Sequence, residues 1–275
     1  MAGGVKTIAG NLNLPESPQW RDGALWFVDG PCVKFLSRDG TVRTHAKTDS
    51  FFLIGLSFLP DGSALVCNVR DRHVLRISDK GKSEMFADLS RETPYLLNEL
   101  TVMADGSIVV DDVGYDVLNG AEPKAAKLIR IAPDGTISRT GSPLFFGNGM
   151  FALDNGSALL VAESVKARIW RFNLIPGQGL DSGAVIANAE YGLDGLASAP
   201  DGTIWYANIL SGHVVHLDRQ GKEIERIATG FEHPTSCILN ADGSKLYVTA
   251  MRDHPTATTL PTSGAILEIE TGRRA

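Results

Sequence analysis

Four residues with oxygen-bearing side chains recur at one position relative to a repeated turn. Asn98, Asn148 and Asp194 lie seven residues before an Asp-Gly or Asn-Gly dipeptide, and Glu16 lies six residues before one. Carboxylate and carboxamide oxygens without histidine or thiolate suit a hard cation, and Ca²⁺ accepts such mixed donors in irregular geometry most readily. The two carboxylates would balance the charge of a divalent ion. Alternatively, polar residues at these positions satisfy backbone groups or solvate a channel.

The turns that define these positions form a six-fold repeat, 39 to 50 residues apart. The dipeptides are Asp22-Gly23, Asp61-Gly62, Asp105-Gly106, Asn155-Gly156, Asp201-Gly202 and Asp242-Gly243. Each precedes a run rich in β-branched and aromatic residues, such as LWFVD or IWYAN, so each is expected to close a hairpin. A second turn in most units adds two more strands. Four antiparallel strands per unit predict an all-β fold, a six-bladed β-propeller, whereas a β-sandwich would not need six equal periods.

The two ends of the chain are expected to close this ring. The last unit has no fourth strand after Thr271-Gly272, and residues 8–17 resemble the join between units five and six at residues 227–236. Residues 5–10 are therefore predicted to supply the missing outer strand. On this interpretation residues 1–275 form a single propeller domain.

Meandering strands also fix the face of the ring on which each candidate lies. If the glycine-marked turns lie on the bottom face, the four candidates lie on the top face, where the innermost strands begin; Ile54 and Thr235 take this place in the other two units. The ends of the second strands form another, mostly polar column: Asp29, Asn68, Asp112, Glu163, Asn208 and Thr249. We expect Asp29 and Asn208 either to orient the two carboxylates or to cap loops.

Composition and motifs argue against several functional classes. The formal charge is −6 and no Lys/Arg cluster is present, so neither nucleic acid nor a membrane is an expected partner. The first ten residues lack an apolar core, which predicts a cytoplasmic protein. The three cysteines are far apart and are expected to be buried hydrophobic residues. No G-x-S-x-G, P-loop or G-x-G-x-x-G motif supports serine hydrolase or nucleotide chemistry.

The histidines offer one further candidate. His213 and His216 are three residues apart in a predicted strand, so their side chains should point to opposite faces, and we interpret both as structural. His254 lies in a predicted top-face loop of the sixth unit. It is the histidine that we expect in a pocket.

Four short segments keep their order and spacing in register with the repeat. They are Glu16-Ser17-Pro18-x-Trp20, Asn148-Gly149-Met150, Leu193-Asp194-Gly195-Leu196 and Pro234-Thr235-Ser236-Cys237. Over about residues 14–270 the chain thereby resembles the senescence marker protein, gluconolactonase and luciferin-regenerating enzyme family. The resemblance implies a six-bladed propeller with a divalent cation, commonly Ca²⁺, in its channel; Mn²⁺, Zn²⁺ and Mg²⁺ are the alternatives. By position it implies Glu16, Asn148 and Asp194 as metal ligands, with Asn98 near the ion and the substrate.

The typical activity of that family is lactone hydrolysis, so the resemblance implies a metal-dependent lactonase or esterase with a small-molecule substrate. In the mechanism implied, the cation polarises the carbonyl and Asp194 deprotonates the attacking water, while Asn98 and Asn148 orient substrate and metal. We expect a monomer or a homodimer. The alternatives are a non-catalytic ligand- or protein-binding propeller and a metal-assisted isomerase or lyase.

One departure from the family pattern bears on the substrate. Sugar-lactone members tend to have Arg-x-Asn-Asp where this chain has Leu96-Leu97-Asn98-Glu99, which lacks the cation that would bind a polyol or carboxylate. Aromatic residues occur in nearby top-face loops: Phe51, Phe52, Tyr95, Phe145 and Phe146. We therefore expect a substrate more apolar than an aldonolactone. Packing of these aromatic side chains between blades is the alternative.

Overall fold

Six antiparallel sheets follow one another along the chain and form a closed ring. In the computed structural model, which describes residues 4–256 and 258–272, each sheet contacts the next through its innermost strand, and the sixth contacts the first. The predicted all-β, six-bladed propeller is therefore confirmed. No helix among the described residues is long and apolar enough to span a lipid bilayer.

The first three blades are four-stranded meanders that run outward from the centre of the ring. The chain starts with β1 (Lys6–Leu12), which belongs to the last blade. Blade one comprises β2 (Pro15–Arg21), β3 (Ala24–Asp29), β4 (Cys32–Leu36) and β5 (Val42–Lys47). Blade two comprises β6 (Leu53–Phe58), β7 (Ala64–Asn68), β8 (His73–Ile77) and β9 (Ser83–Asp88). Blade three comprises β10 (Leu97–Val102), β11 (Ile108–Asp112), β12 (Ala126–Ile131) and β13 (Ile137–Leu144).

The remaining three blades repeat this order. Blade four comprises β14 (Gly147–Leu153), β15 (Ala158–Glu163), β16 (Arg168–Ile175), β17 (Gly179–Leu180) and β18 (Ala184–Asn188). Blade five comprises β19 (Leu193–Ser198), β20 (Ile204–Asn208), β21 (His213–Leu217) and β22 (Glu223–Ala228). Blade six comprises β23 (His233–Leu239), β24 (Lys245–Met251), β25 (Gly264–Glu270) and β1. Two short 3₁₀ helices lie at Val117–Asn119 and Asp154–Gly156.

The N-terminal strand closes the ring as predicted. β1 pairs antiparallel with β25, with Thr7 opposite Leu267, and so completes blade six. Near the axis, the Thr235 hydroxyl of blade six donates a hydrogen bond of 3.0 Å to the Pro15 carbonyl of blade one. The two ends of the described chain are thus joined at both the outer and the inner strand.

Blade four departs from the predicted single outer strand, because its edge is divided between β17 and β18. Both segments pair with β16. Between them the Asp181 carboxylate accepts hydrogen bonds from the backbone N–H groups of Asn173 and Gly183, each at 2.9 Å. This turn takes residues 181–183 out of the ladder and splits the edge.

The core lies between the blades. All residues of β7, β11, β15 and β20 are buried, as expected for strands that are covered on both faces. Buried apolar clusters therefore fill the spaces between neighbouring blades. Cys67 and Cys237 are buried as expected, whereas Cys32 is half-buried; the described residues form no disulfide with them.

Candidate active site at the top of the channel

Every innermost strand has a register shift near its first residues, at the top of the channel. In three strands the shift places two residues opposite one partner residue: Asn98-Glu99, Asn148-Gly149 and Asp194-Gly195. In β2 the shift directly follows Glu16. Such a β-bulge takes residues out of the ladder and re-aims their side chains. All four sequence-predicted site residues therefore lie at bulges.

The structure brings these four residues together near the axis. Glu16 and Asp194 are close enough for their charges to repel, and the Asn148 side chain hydrogen-bonds to Asp194. Glu16 is 7% exposed, and Asp194 and Asn98 are each 6% exposed. Within the described part of the chain, Nδ2 of Asn98 has no hydrogen-bond partner. Since buried polar groups are almost always paired, this amide is available for a ligand.

Two further buried carboxyl groups lie beside this set, and neither is among the sequence-predicted site residues. Glu99 acts electrostatically on both Glu16 and Asp194 and is 6% exposed. Asp111 neighbours Glu99, is 1% exposed, and its Oδ2 has no partner among the described residues. The available sequence signals were the position of Glu99 directly after Asn98 and the acidic pair at residues 111–112. The site thus has more buried carboxyl groups beside it than the two that the sequence predicts.

Burial makes ionisation of these groups unfavourable. It raises the pKa of Glu16 well above its usual range, and the charges of Asp194 and Glu99 raise it further. Burial likewise raises the pKa of Asp194, followed by the charge of Glu99. It raises the pKa of Glu99 to about 7, against an ordinary value of 4.5. Hydrogen bonds from Ser17 to Glu16 and from Asn148 to Asp194 favour the ionised forms but do not outweigh burial.

The donor set fits a hard divalent cation. It consists of carboxyl groups, which repel one another, and of carboxamides. Carboxylate and carboxamide oxygens are ligands that Ca²⁺ accepts. Within residues 4–256 and 258–272, no three His, Cys, Asp or Glu side chains are grouped so that they could hold a metal ion. A cation bound by Glu16 and Asp194 would therefore need a carboxamide oxygen as well, and Asn148 is the carboxamide that contacts Asp194.

Asp29 and Asn208 cap loops and do not orient the two carboxylates. Asp29 accepts hydrogen bonds from Asn13 N–H (2.7 Å), Leu14 N–H (2.9 Å) and Lys34 Nζ (2.5 Å). Asn208 accepts from Leu210 N–H (3.0 Å) and Ser211 N–H (2.9 Å). The register explains this, because they pair with Pro15 and Leu193, each one residue before a carboxylate. Successive side chains of a strand point to opposite faces.

The other members of this second column behave in the same way, with one exception. Asn68 binds Asp71 at 2.8 Å, and Asp112 accepts from the hydroxyl of Thr93 at 2.8 Å. Glu163 accepts from Arg168, Trp170 and the N–H of Phe145. Only Thr249 contacts the candidate position of its own blade, with its hydroxyl 2.8 Å from that of Thr235.

The remaining histidine candidate lies on the rim. His254 is exposed, and its ring lies 3.6 Å, centroid to centroid, from that of His233. The Nδ1 of His233 is 2.9 Å from the Ile209 carbonyl, which ties this pair to blade five. The structure thus places His254 in a pair of tilted rings at the surface.

One of the buried apolar clusters between the blades extends to residues near the starts of the innermost strands. Its members include Leu14, Phe52, Leu97 and Met251, from blades one, two, three and six, and Phe51, Ile54, Leu96 and Leu260 pack against it. Two mouth aromatic rings carry cations: Arg70 Cζ lies 3.9 Å from the centroid of Phe51, and Lys166 Nζ lies 4.6 Å from that of Phe145. Phe51 and Phe52 therefore take part in packing between blades, and the rings of Phe51 and Phe145 also contact cations.

The channel is nearly closed below the candidate site. A cavity of about 10 Å³ below it has room for about one water molecule, and Ser17, Glu99, Met150, Phe151, Leu196 and Ile238 are among its lining residues. The inner strands approach closely here, since a Cβ on Gly149 would lie 2.6 Å from the Cα of Gly195. The passage between the inner strands is therefore narrow at this level.

Comparison with known proteins agrees with this fold. The family model of the SMP-30/Gluconolactonase/LRE-like region matches residues 14–252. Pentonolactonase XacC of Haloferax volcanii is 24% identical over an alignment of 257 residues that covers 89% of this chain and 84% of the relative.

Two solved structures have the same fold. A gluconolactonase from Xanthomonas campestris superposes with a TM-score of 0.76 at 21% identity, covering 97% of this chain and 89% of the other. A calcium-binding protein, regucalcin, from Agrobacterium tumefaciens gives a TM-score of 0.73 at 20% identity, covering 95% and 92%. Since the family model spans most of the sequence, the chain belongs to the SMP-30/gluconolactonase/LRE-like family.

Proposed function

We propose that the chain is a divalent-metal-dependent hydrolase that opens a small lactone or a related ester. The observation that carries the proposal is the convergence of Glu16, Asn98, Asn148 and Asp194 at bulges around one end of a closed channel. The names of the relatives, a pentonolactonase and a gluconolactonase, support the reaction class. The calcium-binding regucalcin supports Ca²⁺ as the cation.

In this proposal Glu16, Asn148 and Asp194 hold the cation, for which Mn²⁺, Zn²⁺ or Mg²⁺ are alternatives. A bound divalent cation would polarise the substrate carbonyl and stabilise the negative charge that develops on its oxygen. Its charge would also offset the repulsion between the two carboxylates. The cation would therefore bring both groups into the ionised form.

The protein side chains supply proton transfer and orientation. Asp194 takes the proton of the attacking water as general base and returns it to the ring oxygen as the acyl C–O bond of the lactone breaks. Asn98 is buried, and its Nδ2 donor has no partner among the described residues, so it can donate a hydrogen bond to a substrate oxygen.

For the substrate, we propose a lactone or ester more apolar than an aldonolactone. Leu96 lies beside Leu97, which directly precedes Asn98, and the apolar cluster around Phe52 borders this strand. The cations on Phe51 and Phe145 set a limit to this preference, because a polar or anionic substituent could still find a partner at the mouth. An aryl or alkyl lactone should therefore be a better substrate than gluconolactone.

A substrate panel tests class and cofactor together. Aryl, alkyl and sugar lactones and a phenyl ester would be assayed with Ca²⁺, Mn²⁺, Zn²⁺ and Mg²⁺, and after removal of metal by a chelator. We expect metal-dependent hydrolysis with a higher kcat/KM for the aryl and alkyl lactones. Equal rates with and without chelator would exclude a metal requirement. A higher kcat/KM for the sugar lactone would exclude the preference for an apolar substrate. No turnover of any compound would favour a binding propeller.

A further inference from the structure

We propose that Ser17 is a positioning residue of the candidate cation site, which fixes Glu16 through a hydrogen bond to Glu99. This inference rests on the proposed function only in requiring that Glu16 binds a cation. Neither Ser17 nor Glu99 is a ligand in the proposed set. Their contribution is the orientation of a ligand.

One hydroxyl group joins the innermost strands of three blades. The Ser17 Oγ donates to Oε1 of Glu99 in blade three at 2.6 Å, and it accepts from the N–H of Gly55 in blade two at 2.8 Å. Ser17 is 3% exposed, so water does not compete for these hydrogen bonds. The position of Ser17 is therefore fixed from two neighbouring blades at once.

The backbone of Ser17 in turn holds the proposed ligand. Its N–H donates to Oε2 of Glu16 at 3.0 Å. The residue has φ +49°, in the left-handed region that a non-glycine residue adopts only when its surroundings hold it there. The two hydrogen bonds of the Ser17 hydroxyl group keep the backbone in this conformation. Without them the peptide N–H that orients the Glu16 carboxylate would be free to move.

Glu99 completes this arrangement without taking the place of a ligand. Its Oε1 is engaged by Ser17, and its buried charge acts on both Glu16 and Asp194. Groups that orient metal ligands typically change metal affinity by 10- to 100-fold when they are removed. We therefore expect loss of the Ser17 hydroxyl to change cation affinity, and not stability alone.

Calorimetric titration of Ca²⁺ into the metal-free protein tests this inference. The variant is Ser17→Ala and the matched control is Ser107→Ala, a serine that is also buried and also donates to a carboxylate, Asp105, but at the bottom of blade three. We expect Ser17→Ala to raise the Kd for Ca²⁺ about tenfold. The Kd of Ser107→Ala for Ca²⁺ should stay within about twofold of the wild-type value, even if its melting temperature falls as much as that of Ser17→Ala.

A second pair of variants tests the hydrogen bond itself. Glu99→Gln keeps an oxygen that can accept from Ser17, whereas Glu99→Ala removes it, and both remove the charge. If the hydrogen bond orients Glu16, Glu99→Ala binds Ca²⁺ about tenfold more weakly than Glu99→Gln. Equal affinities of these two variants, or wild-type affinity in Ser17→Ala, would overturn the inference alone. Absence of divalent-cation binding by wild type would overturn the inference together with the metal of the proposed function.

Discussion

At the scale of single residues, the most unusual feature is a group of acids in a place that disfavours their charge. Glu16, Glu99 and Asp194 are buried and repel one another, and the hydrogen bonds that they accept do not compensate. Such a group persists in a folded protein when it serves a ligand or when it holds protons. The protein would therefore be sensitive to both pH and cations.

The first prediction concerns the pH dependence of stability in the metal-free protein. The pKa of Glu99 is about 7 when folded, against 4.5 ordinarily, so the folded state binds more protons than the unfolded state between these values. The free energy of unfolding should then fall as pH rises through that window, by about 3 kcal/mol from this group alone. The raised pKa values of Glu16, Asp111 and Asp194 act in the same direction.

Urea denaturation in the presence of a chelator at pH 5 and pH 8 measures this effect, with Glu99→Gln as the comparison. The variant should lose less stability between the two pH values than wild type, because its side chain does not titrate. A wild-type protein that becomes more stable from pH 5 to pH 8 without metal would contradict the assignment.

At the scale of elements, the β-bulges decide which residues reach the channel and which cap loops. The hairpin turns and strand positions could be predicted from the sequence, because Asp-Gly turns and β-branched runs are local signals. Glu16, Asn98, Asn148 and Asp194 could be found by counting back from those turns. The position of Glu99 and Asp111 beside these four residues could not be predicted, because a bulge depends on how a strand pairs with the next strand.

The same limit applies to the second column of polar residues. The sequence leaves two roles open for Asp29 and Asn208, which are to orient the carboxylates or to cap loops. Each pairs with the residue before a carboxylate and not with the carboxylate itself, so both cap loops. Sequence spacing of strands does not fix such a difference, since the pairing of two strands can shift by one residue at a bulge.

The second prediction tests the capping role of this column. Glu163 is fully buried, and its carboxylate accepts from Arg168 Nε at 2.7 Å, Trp170 Nε1 at 2.8 Å and Phe145 N–H at 2.9 Å. Glu163→Gln puts an NH₂ group where an acceptor is required, so it should destabilise the protein by about 2 to 3 kcal/mol. Chemical denaturation measures the loss. Ca²⁺ affinity should stay within about twofold, and a larger change would place Glu163 in the site.

The third prediction concerns the close approach of inner strands. A methyl group on Gly149 would meet the backbone of Gly195 at 2.6 Å, so Gly149→Ala should destabilise the protein by about 1 to 3 kcal/mol. The matched control is Gly10→Ala in β1, where a Cβ would meet no atom of the described residues within 4 Å. Thermal unfolding compares the two variants. Equal melting temperatures would mean that the strands of Gly149 and Gly195 can move apart without loss of stability.

At the scale of the whole molecule, the ring is closed through both its outer and its inner strands. Ring closure by β1 and β25 and by the hydrogen bond from Thr235 to Pro15 holds blade one, and with it Glu16, against blade six. Six-fold repetition makes this architecture predictable from the sequence, because each unit needs its neighbours to bury both faces. The substrate is less predictable, because loops from several blades form the mouth together.

The central claim is that a divalent cation at the top of the channel is required for hydrolysis of a lactone. The most direct measurement is release of acid from an aryl lactone during titration of Ca²⁺ into the metal-free protein, with Asp194→Asn as the variant and Asp242→Asn, on the bottom face, as its control. We predict saturable activation with a midpoint equal to the calorimetric Kd in wild type and in Asp242→Asn. Asp194→Asn should be at least about 100-fold slower at saturating Ca²⁺. A rate that is independent of Ca²⁺, or full activity of Asp194→Asn, would contradict the account.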